Sequence, residues 1–282
     1  MLSRQDVLPS LSCDRLSEAQ RARLDLWYRR SRDILARFAD LQAEPALQYS
    51  LYDSYQEFKK LETLIKWARD LTSRSGKRIR VLDMASSIGN ISVPLAKIGC
   101  EVHAVEVNKE SIACLRALSP DVIIHETSLL NLQRADLGAD FDLIIAADVL
   151  EHLAKPQDVI QDAYDLLNNG GTFAVAIPNG YGPFELLLDI PVTTVKRLLR
   201  RIDNEYDFHV QFFTLERFRR LTSAFEMTSV ENFSFLGFYP QINGSRLAKL
   251  DFEFSLRLPH AVASRWLIRL EKLQSAGALR NG

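Results

Sequence analysis

The stretch "VLDMASSIGN", Val81 to Asn90, carries an apolar run, an aspartate, and then small residues leading into a helical pattern. A turn of this kind brings a ligand against free N–H groups at a helix N-terminus, which suits a carboxylate or a phosphate. In the register of the dinucleotide fingerprint, with the last glycine at Gly89, Met84 and Ser86 fall where the other glycines belong, and methionine fits that turn poorly. The register acid-x-small-x-small-x-Gly fits instead, as Asp83, Ala85, Ser87 and Gly89. Glu106 closes the next apolar run, where a carboxylate can accept both hydroxyls of a ribose. Together these residues point to a nucleoside-type site. A third cluster is "DVLEHL", in which Asp148, Glu151 and His152 stand at i, i+3 and i+4 and would share a face if the segment is helical. Its plain reading is that the two carboxylates cap a short helix while His152 packs below a substrate loop.

The elements that must position these groups follow from the apolar pattern. "IRVLDM", "EVHAVEV", "DVIIHE", "FDLIIAAD" and "GTFAVAI" read as strands. Between them "NISVPLAKIG", "NKESIACLRALS" and "PQDVIQDAYDLLNN" read as helices, the second capped by Asn108 and the third opened by Pro156 and followed by Gly170 and Gly171. Nearly continuous apolar strands joined by helices predict a doubly wound α/β fold with a mostly parallel sheet. Upstream, Ser17 and Gln20 form a capping-box pattern. Two helices are expected over residues 1–75, separated or kinked at Pro45, with Leu51, Tyr55, Phe58, Leu61, Ile65 and Ala68 on one face of the second. The domain organisation expected is a helical extension over 1–75 and an α/β domain over 76–282, with 181–213 inserted as a substrate lid. Late in the chain, "EMTSVENFSFLGF" and "LDFEFSLRL" read as strands and "HAVASRWLIRLEKL" as a closing helix.

Composition narrows the function. A chain of 282 residues with a net charge of −1 has no global electrostatic pull towards nucleic acid, so no nucleic-acid partner is expected. No apolar run approaches the ~18 residues of a membrane span. Charged residues such as Arg4, Asp6, Asp14 and Arg15 leave no secretory leader core. Cys13, Cys100 and Cys114 have no metal or redox spacing, which predicts reduced thiols and a cytoplasmic protein. Nothing in the sequence signals an oligomeric state.

Four segments in register resemble the class I S-adenosylmethionine-dependent methyltransferases, in the subgroup acting on small molecules. They are "VLDMASSIGN", Glu106, "FDLIIAADVLEHL" and "LLNNGGTFAVAIPN"; "HVQFFTLERFRRLTSAFEM" is similar to the segment that follows, and the likeness covers roughly residues 75–235. The resemblance implies S-adenosyl-L-methionine as cofactor and a seven-stranded Rossmann-like sheet. It implies that Asp83, Ala85, Ser87 and Gly89 surround the methionine and sugar portions, that Glu106 holds the ribose hydroxyls, and that Val107 packs near the adenine. Ser128, flanked by Leu129, stands where the family commonly has an aspartate near the adenine amino group. Ala147 and Asp148 are implied beside the methionine ammonium and the methyl-transfer zone. "DVLEHL" also resembles the carboxylate-x-x-Glu-His metal motif of some quinone and RNA-end methyltransferases, with aspartate for the first glutamate, and the expectation is that no metal is bound.

Methyl transfer itself asks mainly for alignment and exclusion of water. An acceptor hydroxyl of high pKa would need a base, and His152 and His209 are the candidates in reach along the chain. The expected activity is transfer to an oxygen, with nitrogen second, of a small-molecule, sugar-like or lipid-like acceptor. The alternative is a methyltransferase-like fold kept as a binding or scaffold subunit. Basic residues Lys196–Arg201 and the aromatic residues Tyr181, Phe184, Tyr206, Phe208, Phe212 and Phe213 are candidates for the acceptor side.

Overall fold

A computed structural model describes residues 16–132, 137–183, 185–189, 191, 209–236 and 243–273. Helix α1 (Glu18–Arg37) opens with the expected capping box: Ser17 Oγ accepts from the Gln20 N–H at 3.2 Å and Gln20 Oε1 from the Ser17 N–H at 2.7 Å. The second helix starts later than its apolar stripe suggests. Pro45 begins a 3-10 turn (Pro45–Tyr49), an extended stretch follows, and α2 runs Tyr55–Ser75. That stretch is pinned to the first strand-helix turn, because Asn90 Oδ1 accepts from the Leu51 N–H at 2.9 Å.

The α/β part runs β1 (Arg80–Met84), α3 (Ser92–Lys97), β2 (Glu101–Glu106), α4 (Lys109–Leu118), β3 (Ile123–Glu126), β4 (Phe141–Ala147), α5 (Pro156–Leu166) and β5 (Leu167–Pro178). It continues with α6 (Leu215–Leu221), β6 (Phe225–Ser234), α7 (Arg246–Ser255) and β7 (Arg265–Lys272). The strands form one seven-stranded sheet in the order β3-β2-β1-β4-β5-β7-β6. Strands β1 to β5 pair in parallel, and β7 runs antiparallel to both of its neighbours. Order reverses between β1 and β4, so a crevice opens at their carboxyl ends, as ligand sites do in doubly wound sheets.

Two late assignments are corrected. "LDFEFSLRL" falls largely in helix α7, whose inward positions are Ala248, Asp251 and Ser255, spaced i, i+3 and i+7. "HAVASRWLIRLEKL" contains strand β7, whose run of Trp266, Leu267 and Ile268 is buried on both faces. Gly170 and Gly171 follow the end of α5, as expected, and β5 begins earlier than its apolar run, so both glycines lie inside it beside a register shift between Phe141 and Leu143 of β4.

The sheet is covered on both faces. Val81, Val102, Leu143 and Ala174 share one core with Phe58, Leu61, Ile65 and Ala68 of α2, all fully buried, each large side chain contributing about 1.5–3 kcal/mol. Leu82, Ile144 and Phe173 pack on the other face against Val159 and Ala163 of α5 and Phe218 of α6. The N-terminal helices therefore belong to the same core as the sheet that carries the crevice. Among the described residues, Cys100 and Cys114 are buried free thiols, and no helix is long and apolar enough to cross a membrane.

Candidate functional site

The first turn holds its shape through backbone conformations that favour glycine. Ala85, Ser87 and Gly89 all have positive φ, at 59°, 51° and 90°, alternating along the turn. A Cβ on Gly89 would meet Leu115 Cδ1 of α4 at 2.3 Å, so that position requires glycine for packing as well as for φ. Asp83 is buried and accepts from Ser92 Oγ at 2.6 Å. Burial pushes its carboxyl up to about 7, the Ser92 hydroxyl pulls against that shift, and the Glu106 charge adds to it. Glu106 is held rigidly from three sides. Its Oε2 accepts from the Ser87 N–H at 2.7 Å, and its Oε1 accepts from the Val107 and Asn108 N–H groups at 2.8 Å each. The carboxylate thus bridges the ends of β1 and β2.

Asp83, Ala85, Ser87, Ala147 and Asp148 come together around one cavity of about 200 Å³ between the ends of β1 and β4. Gly89 supports the turn from behind. Glu106, Val107, Ser128 and Leu129 follow along the carboxyl ends of β2 and β3, outside that cavity. Val107 is exposed, Leu129 is buried, and Ser128 Oγ caps the turn Leu129–Asn131 by accepting from the Leu130 N–H at 3.2 Å.

Asp148 does not share a helical face with Glu151 and His152. Its φ is 54°, and only a single 3-10 turn, Leu150–His152, follows, with no side-chain cap. The side chain turns instead towards two cations: Oδ2 accepts from Lys60 Nζ at 2.5 Å and Oδ1 from Arg265 Nη1 at 2.6 Å. Lys60 also contacts Glu57 Oε2 at 2.6 Å, which completes a four-residue network of zero formal charge. Burial of Asp148 opposes ionisation, but Lys60 and Arg265 outweigh it and hold the carboxyl below the usual aspartate range. Burial likewise works against the Lys60 charge, and Asp148 and Glu57 overcome it, so the ammonium titrates above the ordinary lysine range. Glu57, Lys60 and Arg265 come from α2 and β7, and no local motif announces them. The signal available was a lysine one turn after a glutamate, Glu57 and Lys60, beside an otherwise apolar stripe.

Glu151, His152 and His209 form a second cluster, with one ligand-type atom from each lying within 4.8 Å of the others. The His152 and His209 rings meet edge-on at 5.2 Å. The segment carrying His209 is fastened to the β4 exit because the Glu151 carbonyl accepts from the Val210 and Gln211 N–H groups at 2.8 and 2.9 Å. Burial, and then the Asp148 charge, push the Glu151 carboxyl up to about 7, and its Oε2 is buried with no hydrogen-bond partner among the described residues. His209 Nδ1 lies 3.1 Å from Oε2 of the buried Glu185, a residue sequence reasoning missed. Of the remaining acceptor-side residues, Tyr181 and Phe212 are exposed and Phe213 is buried. Phe184, Tyr206, Phe208, the Lys196–Arg201 cluster and most of the 181–213 insertion lie outside the described residues.

A methyltransferase-domain family model matches residues 82–173, from β1 into β5. The family model, the relatives and the fold together support a class I S-adenosylmethionine-dependent methyltransferase. The methyltransferase is 27% identical over 174 residues to a ubiquinone biosynthesis O-methyltransferase of Paraburkholderia phymatum, covering 59% of this chain and 74% of the relative. With the protein of the same description from Nitrosococcus oceani it shares 26% over 211 residues, 72% of this chain and 86% of the relative. In fold the methyltransferase is similar to the magnesium protoporphyrin IX methyltransferase of Synechocystis PCC 6803, solved with bound SAH, at TM-score 0.50 and 13% identity over 76% of this chain and 82% of that one.

Proposed function

We propose that this enzyme transfers the methyl group of S-adenosylmethionine to a hydroxyl oxygen of a small-molecule acceptor, with residues 1–75 as a cap on the 76–282 methyltransferase domain. The observation that carries this reading is the meeting of the first turn and the β4 exit around one cavity, with the two histidines beside the latter. The cofactor supplies an activated sulfonium methyl. The chain's part is to hold and align it: Glu106 for the ribose diol, Val107 and Leu129 for the adenine, Ser128 for its amino edge, and the Asp83–Gly89 turn with Ala147 and Asp148 for the amino-acid end. His209 is the proposed base. Glu185, against its Nδ1, would orient the ring, and the imidazole would take the proton of the acceptor's hydroxyl as that oxygen receives the methyl group. His152, edge-on to His209, is its partner in that pocket. The O-methyltransferases of ubiquinone biosynthesis among the relatives support oxygen as the acceptor atom.

A second reading for the histidine cluster is favoured by the unpartnered, buried Glu151 Oε2. Glu151, His152 and His209 offer one carboxylate and two imidazoles, a donor set suited to a divalent cation, and Glu185 would orient His209 as outer-shell carboxylates do. A metal there would lower the acceptor's pKa, and the histidines would serve as ligands. Methylation of a panel of phenols and catechols, run before and after exhaustive chelation, separates the two. Activity that survives chelation supports the base, and loss restored by a divalent cation supports the metal. Cofactor binding with no methylation of any acceptor would favour a scaffold subunit.

A further inference from the structure

We propose that Arg32, on α1, is the docking point for an oxyanion of the acceptor, a carboxylate or phosphate carried alongside the hydroxyl that is methylated. The proposal rests on the small-molecule reading of the acceptor above. Part of the guanidinium is already placed: Nη2 donates to Ser31 Oγ at 3.1 Å and to the Ser50 carbonyl at 3.0 Å. Its Nε and Nη1 are buried with no hydrogen-bond partner among the described residues, so three of the five N–H donors are unused. The charge is unmatched as well. Lys60, Arg80, Arg265 and Arg269 each meet a carboxylate, whereas Arg32 meets none among the described residues. Its neighbour is the Tyr28 ring, whose centroid lies 5.1 Å from the guanidinium carbon. Burial pushes the group down to about 10, with Tyr28 pulling the other way. A buried cation without a counter-ion costs stability, and an anion brought by a ligand relieves that cost on binding.

The position suits an acceptor. Arg32 holds the stretch Ser50–Tyr52, in which the Leu51 N–H donates to Asn90 Oδ1, and both Tyr52 and Asn90 line the cofactor cavity. The residue is half-buried, at the margin of the helical cap and not in its core. Fastening the cap does not depend on it, because Ser31 Oγ already donates to the Ser50 carbonyl at 2.9 Å and Arg30 meets Asp53 at 3.5 Å. A neutral acceptor gains nothing from the free donors. A carboxylate or phosphate takes charge-assisted hydrogen bonds from a guanidinium whose plane the Ser31 and Ser50 contacts fix in advance.

The test labels arginine with ¹⁵N in the full chain, saturates it with S-adenosylhomocysteine and reads the Arg32 Nε–H, identified by its loss in Arg32→Met. The probes are inorganic phosphate, protocatechuate (a catechol bearing a carboxylate) and catechol itself. Protocatechuate is expected to shift the resonance at millimolar concentration and catechol to leave it in place. No response to either anion at tens of millimolar, or an equal response to catechol, overturns the proposal. Response to phosphate alone assigns a free-anion site and overturns the acceptor role. Arg32→Met is expected to bind protocatechuate at least ~10-fold more weakly. Its melting temperature should match or exceed that of the wild type, since the Ser50 carbonyl keeps Ser31 and an unpaired buried charge is gone. A lower melting temperature with protocatechuate affinity unchanged makes Arg32 a structural residue and overturns the proposal. Should the variant not fold, the wild-type titration decides, with the resonance identified by Arg32→Lys. Failure to bind S-adenosylhomocysteine would instead refute the methyltransferase reading, which the Arg32 signals do not test.

Discussion

Replacing Ala85 by glycine should stabilise the protein, although it deletes a methyl group beside the binding cavity. Ala85 has φ 59°, a left-handed conformation that costs an L-residue with a Cβ about 1–2 kcal/mol. Glycine relieves that cost and adds about 0.5–1 kcal/mol of unfolded-state entropy. The side chain is only partly buried, so the loss of its methyl is a small debit. The net expectation is a gain of about 0.5–1 kcal/mol, or roughly 1–3 °C in melting temperature for a domain of this size. Ala104→Gly on β2 is the control. It makes the same chemical change at a fully buried residue without positive φ, where the lost methyl at about 0.8 kcal/mol and the entropy term add, giving a loss near 1.5 kcal/mol. Urea unfolding of both variants reads the two signs directly. Because the turn keeps its backbone path, affinity for S-adenosylhomocysteine should stay within ~3-fold. If both variants destabilise equally, the turn is not strained at Ala85 and the alternating left-handed geometry is wrong.

Gly89→Ala should lose stability by about 2–4 kcal/mol, from overpacking against Leu115 and from its φ of 90°, and Leu115→Ala in the same chain should recover part of the loss that each change causes alone. Asp83 binds its proton more tightly in the folded chain, at about 7, than unfolded at 3.8. Its contribution therefore favours folding below about pH 4, declines as pH rises to 7, and is fully unfavourable above that. Denaturation of the wild type and Asp83→Asn should show the variant gaining relative stability across that window, and a pH-independent difference would contradict the burial of that carboxyl. Glu185→Gln should lower kcat by about 10–100-fold with KM little changed, since it acts through His209; a loss confined to KM would place Glu185 in acceptor binding instead.

The parts of the molecule legible in sequence are those where function and fold share a local pattern. The β1 turn and Glu106 are reached by residues a few positions from a strand end, so spacing alone carries them. Strand β7 was misread because burial on both faces erases alternation, leaving "WLIRL" with the apolar density of a helix. Helix α7 was misread for the opposite reason. It buries Ala248, Asp251 and Ser255 and exposes Leu247, Leu250 and Phe254, which hides the helical period behind the alternation of "DFEFS". Asp251 is inward because it accepts from the Phe235 and Leu236 N–H groups at 3.1 and 2.8 Å. The site's own omissions have one cause. Lys60, Glu185 and Arg265 reach Asp148 and His209 only through tertiary packing, and no spacing along the chain encodes such a meeting. Ala85 and Ser87 both adopt the glycine-like conformation the turn demands, which the small-residue spacing suggests without fixing.

The central claim, a nucleoside pocket built on the first turn and Glu106, is tested most directly by titrating the full chain with S-adenosylhomocysteine in a calorimeter, alongside Glu106→Ala. The account predicts one site per chain in the wild type and at least ~10-fold weaker binding in the variant, whose melting temperature stays within a few degrees of the wild type. No heat of binding at millimolar ligand, or equal affinity in the two proteins, would contradict it.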